Sequence, residues 1–173
     1  MKLHLRNPEF HLMVDKYEVK SIVKEKIGCE YVVPCHGVWT NANDIEFDKL
    51  PYPVVLKTTG DTGGVIVCKS EESIDRDWVR RRLNNAVSHN FFYQSREWPY
   101  KHVKPRIIAD EYLDEGTYRE LVDYKFWCFN GEPQIMYCSN KAWAAAAALV
   151  VRPSLPTSPP RPDCQKDFIR RIS

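Results

Sequence analysis

The run Pro53-Val54-Val55-Leu56-Lys57 breaks into Thr58-Thr59-Gly60-Asp61-Thr62-Gly63-Gly64 and resumes as Val65-Ile66-Val67-Cys68-Lys69. Two short β-branched runs on either side of a glycine-rich loop read as two strands of one sheet. An all-helical fold is thereby excluded. The loop is not a Walker A motif, because no Gly-Lys-Ser/Thr closes it and a strand follows it. Lys57 ends an apolar strand, where a charged side chain needs a partner or a ligand. Gly60, Gly63 and Gly64 would let backbone N–H groups approach phosphate oxygens with no Cβ in the way. Two readings stand at this point: a phosphate cradle, and a plain hairpin turn with a solvent-facing lysine.

The rest of the chain alternates helix and strand signals, which makes the expected class α+β. Val19, Ile22, Val23 and Ile27 recur at helical spacing within residues 15–27, and Gly28 ends that segment. Residues 31–34 read as a short strand or the approach to one, and residues 44–50 as a brief helical turn and loop. Ser70, followed by Glu71 and Glu72, is expected to cap a helix whose apolar face is Ile74, Trp78, Val79, Leu83, Ala86 and Val87. Arg80-Arg81-Arg82 reads as its solvated face, and residues 93–104 as a long loop. There Trp98 and Tyr100 either stack on a ligand or plug the core.

Ile107-Ile108-Ala109 reads as a buried strand that delivers Asp110, Glu111, Tyr112 and Leu113 at its end. Strands at 122–129 and 134–138 are joined by Asn130-Gly131-Glu132-Pro133, a strong turn signal. Asp123 and Lys125 share one face of their strand, because alternate residues point the same way. Tyr124, Phe126 and Cys128 would then face the core.

The character changes after Asn140. Ala144–Ala148 belong to an alanine-rich run that could be helical, and RPSLPTSPPRP holds five of the twelve prolines. The expected organisation is therefore a domain over 1–140 and a basic Ala/Pro-rich tail over 141–173. The tail carries +4, which leaves −2 on residues 1–140 and excludes a general nucleic-acid binder on charge grounds. No apolar run reaches the roughly 20 residues of a membrane span, and the N-terminus lacks the apolar core of a secretory signal. The six cysteines have neither CxxC nor metal-finger spacing, so a reduced, cytoplasmic setting is expected. The five histidines show no ligand spacing, and no metal ligands are assigned.

In order, the segments NPEF, VDKYEVKSIVKEKIG, GVW (37–39), FDKLPYPVVLKTTGDTGG, REWPYKHVKPRIIADEYL and LVDYKFWCFNGEPQIMY resemble the TupA-like branch of the ATP-grasp superfamily over about residues 7–141. That branch is linked with teichuronopeptide and capsule-type surface polymers and is often labelled glycosyltransferase. The resemblance implies ATP held between two α+β subdomains. Lys57 would hold the phosphates and the Gly60–Gly64 loop would fold over them. Asp110 to Leu113 would form the hinge around adenine, with Glu111 as its side-chain contact. Lys125 would contact phosphate with Asp123 beside it, and Lys141 would stand where the family tends to carry an arginine near the γ-phosphate.

Such enzymes typically phosphorylate a carboxylate and let an amine displace the phosphate, so the implied partners are small carboxylates and amines. Cations spread the charge of the transferring group. The family pattern goes on with RVDLY-like and GELTF-like segments whose acids would bind Mg²⁺, and neither is found here. The chain is therefore expected to be an incomplete ligase with severely impaired phosphoryl transfer. Two other readings are a non-catalytic adenine-nucleotide-binding module and a capsule glycosyltransferase. For the latter, Asp75-Arg76-Asp77 supplies the letters of a DxD metal motif.

Overall fold

The computed structural model describes residues 6–61, 64–113, 123–139 and 147–150. Two compact units divide at residues 112 and 113.

The first unit is a four-stranded antiparallel sheet with helices on both faces. Its strands are β1 (Cys35–Trp39), β2 (Val54–Thr58), β3 (Val65–Cys68) and β4 (Ile107–Glu111), in the order β1-β4-β2-β3. The glycine loop thus joins adjacent antiparallel strands, as expected. Alternation decides the core: Val54, Leu56 and Thr58 of β2 are buried on one face, while Val55 and Lys57 fall on the other. Helix α3 (Arg76–Val87) lays Val79 and Leu83 on the first face, where they join Ile45, Phe47, Leu56, Cys68, Ile107 and Ala109. A fully buried leucine such as Leu83 contributes about 1.5–3 kcal/mol through burial.

The helix predicted over 15–27 is α2 (Glu18–Ile27), preceded by the short α1 (Phe10–Val14), which the sequence reading did not anticipate. Asp15 stays outside α2 because its Oδ1 accepts from the amides of Tyr17 (2.8 Å) and Glu18 (3.1 Å). Gly28 closes α2 at a φ of +113°, a value costly for any side chain.

Other expectations are corrected. Asp75, not Ser70, caps α3: its Oδ1 accepts from Trp78 N at 2.9 Å, and Ser70 to Ile74 form turns outside the helix. Trp78 is 46 % exposed, so the core-facing stripe is narrower than predicted. Arg80 is half-buried rather than solvated, with its guanidinium 5.2 Å from the Phe47 ring centre. Residues 29–31 form a 3₁₀ turn, and the strand begins only at Cys35. The stretch read as a loop contains α4 (Phe92–Ser95) and a 3₁₀ turn at Trp98–Tyr100. Trp98 packs on the His11 ring at 4.4 Å and Tyr100 on Phe91 at 5.0 Å, which favours the plug reading for both.

The second unit holds β5 (Asp123–Phe129), β6 (Glu132–Ser139) and β7 (Ala147–Val150), all antiparallel in that order. The predicted hairpin turn is present, with Asn130 at φ 52° and Gly131 at φ 83°. Those left-handed values match the twist of a two-residue hairpin. Tyr124, Phe126 and Cys128 are exposed, contrary to the expectation that they face a core. The end of the alanine run is a strand paired to β6, not a helix: Ala147 lies opposite Cys138 and Val150 opposite Ile135. The proline-rich segment, Gly63 and Lys141 lie outside the described residues.

Candidate functional site

The face of the first sheet opposite α3 carries Val55, Lys57, Val65, Val67, Ile108 and Asp110, because directly paired residues share a face. Asp110 is diagonal to Lys57 across the β2–β4 pair, within reach of a long side chain. Its carboxylate is only 3 % exposed, and Lys57 Nζ lies 2.7 Å from Oδ2. Lys20, one turn into α2, brings its Nζ to 3.0 Å from Oδ1 and also donates to the Val33 carbonyl at 2.7 Å. Two ammonium groups on one buried carboxylate leave a net positive charge at a site where water screens weakly.

A third lysine adds to it. Lys16 donates to the Thr58 carbonyl at 3.0 Å and to the Asp61 carbonyl, spanning the entry to the glycine loop. Burial pushes its pKa below the usual lysine value, and Lys57 nearby works in the same direction against the pull of Asp61 and Asp15. The Asp61 carboxylate accepts from the Thr58 hydroxyl and from Gly64 N at 3.3 Å. A Cβ on Gly64 would stand 2.7 Å from Thr58 Oγ1, so this close turn requires glycine. Gly60 is buried against Val103 and Pro105.

The predicted residues therefore separate by setting. Lys57, Gly60, Gly64 and Asp110 come together. Asp110 stays within β4, and its carboxylate is held by the two lysines. Glu111 is exposed, and its amide donates to Pro34 O at 3.0 Å; Leu113 is also exposed. Asp123 and Lys125 lie on β5 in the other unit, opposite Ser139 and Tyr137. Sequence reasoning missed Lys16 and Lys20. Both were visible as charges on the α2 segment, but only the fold shows that they turn toward the sheet.

Val65 and Val67, paired with Lys57 and Val55, expose about half their surface beside the lysines. They offer an apolar shelf of the kind a planar base can cover. Cys35 lies opposite Asp110 in register, and burial, with the Asp110 charge adding to it, pushes its thiol above the ordinary value. Asp75 of the DxD letters is engaged as the α3 cap. Among the described residues, no group of three or more His, Cys, Asp or Glu could hold a metal ion. Three ammonium groups, a tight glycine turn and an apolar shelf suit a nucleotide polyphosphate.

No curated protein and no solved structure matches the chain in comparison. The family model described as TupA-like ATPgrasp matches residues 1–139, most of the chain and the whole of the lysine cluster. With that match over an α+β fold, the chain belongs to the TupA-like ATP-grasp family.

Proposed function

We propose that the lysine face of the first sheet binds the phosphates of ATP, and that the protein is an ATP-dependent carboxylate–amine ligase of surface-polysaccharide or teichuronopeptide synthesis, acting in the cytoplasm. One observation carries the binding: Lys57 and Lys20 converge on buried Asp110, with Lys16 at the adjoining glycine turn. A carboxylate that holds its lysines in place keeps them aimed before the ligand arrives, which lowers the ordering cost of binding. Family membership supports the use of ATP.

In this reading Lys57 and Lys16 carry the phosphates, Asp110 holds Lys57 with Lys20 as its second partner, and the Gly60–Gly64 loop folds over them. Val65 and Val67, on the same face as Lys57, lie under the base. Bound ATP supplies the phosphoryl group that activates the carboxylate.

The experiment is ATP-dependent hydroxamate formation, in which hydroxylamine traps an activated carboxylate. Amino acids and sugar acids serve as substrates with Mg²⁺ present, and ADP is measured in parallel. Hydroxamate and ADP appearing together support the ligase. Nucleotide binding by calorimetry without either product leaves the binding module as the better reading. UDP-sugar hydrolysis without ATP would favour the glycosyltransferase.

A further inference from the structure

Arg106, just before β4, joins three segments of the first unit. Its guanidinium lies 3.2 Å from Asp15 Oδ2, 2.7 Å from Glu18 Oε1 and 4.8 Å from the Tyr17 ring centre. Its backbone is tied to the loop entry: Arg106 O accepts from Thr59 N at 2.8 Å, and Arg106 N donates to Thr59 Oγ1 at 3.1 Å. Thr59 O in turn accepts from Lys16 N at 3.2 Å. Lys16 is thus fixed between a residue that Arg106 pairs with and a loop that Arg106 bonds to.

We propose that Arg106 is a positioning residue for Lys16: by neutralising buried Asp15 it leaves the Lys16 ammonium free to reach the glycine loop. The inference rests on the nucleotide-site reading above. Asp15 is almost fully buried, and its Oδ1 is already committed to the start of α2. A buried carboxylate stripped of its cation draws the nearest one. Lys16 is the adjacent residue, and Asp15 already exerts an attraction on its charge. Removing the guanidinium would therefore turn Lys16 from the Thr58 and Asp61 carbonyls toward Asp15, and the phosphates would lose a donor. Glu18, half-exposed at the rim, can be solvated instead.

A double-mutant cycle tests this by calorimetry with a non-hydrolysable ATP analogue. Arg106→Gln is expected to weaken binding about tenfold, and Lys16→Met by about 10–100-fold, the range for a charge-assisted hydrogen bond. The double variant should bind like Lys16→Met alone, since Arg106 acts through that lysine. Losses that multiply, or unchanged affinity in Arg106→Gln, overturn the inference while the nucleotide site stands. Absence of binding by the parent chain overturns both. Arg106→Lys keeps the charge and loses the fork. It repeats the cycle at about threefold amplitude, and it serves where melting curves show that Arg106→Gln does not fold.

Discussion

Lys57 and Lys125 each sit in a strand of alternating character, yet their surroundings differ. Around Lys57, Val54, Leu56 and Thr58 are sealed under α3, and the opposite face meets α2 through Lys20 and Asp110. Around Lys125, Tyr124, Phe126, Trp127 and Phe129 are 40–60 % exposed. The first strand owes its place to burial on one face and ion pairs on the other. The second owes its place to ladder bonds and a two-residue turn. Alternation says which residues share a face; only a covering element says which face becomes core or site.

Asp110→Asn is the strongest way to break that contrast. It leaves Lys57 and Lys20 facing a neutral group and is expected to cost about 3–5 kcal/mol in urea unfolding. Glu132→Gln, an exposed acid of the hairpin, should change stability by less than about 0.5 kcal/mol. Leu83→Ala follows, with about 2–5 kcal/mol lost from the core under β2, against less than about 1 kcal/mol for Phe126→Ala. Equal losses for the last two would mean that the hairpin has a core of its own.

Asp75→Ala should cost about 1 kcal/mol by removing the α3 cap, measured as a lower melting temperature. The pH response is smaller still. Lys16 has a folded pKa below its unfolded value near 10.5, so its protonated form costs stability at and below the folded pKa. That cost disappears as pH rises from the folded pKa toward 10.5. The stability difference between parent and Lys16→Met should therefore shift in favour of the parent over that window, read by urea titrations at several pH values.

Much of this was legible in the residues. The Val54–Lys57 and Val65–Cys68 runs, Ile107–Ala109, the Asn130-Gly131 turn and the stop at Gly28 are local signals, and each appears where expected. The α3 start was misplaced because Ser70 and Asp75 are both good caps, and the choice depended on where Val79 and Leu83 met the sheet. Lys16 and Lys20 stayed hidden because a charge on a helix looks the same whether it faces water or a buried acid. The partners of Asp110 stayed hidden for the same reason: they are 53 and 90 residues away in the chain.

Replacing Lys57 tests the central claim, that the first sheet's lysine face holds nucleotide phosphates, most directly. Calorimetry with a non-hydrolysable ATP analogue would compare the parent chain, Lys57→Met and Lys125→Met. Binding by the parent with a 10–100-fold loss in Lys57→Met, larger than that in Lys125→Met, is the predicted result. Lys57→Met binding as tightly as the parent would contradict it.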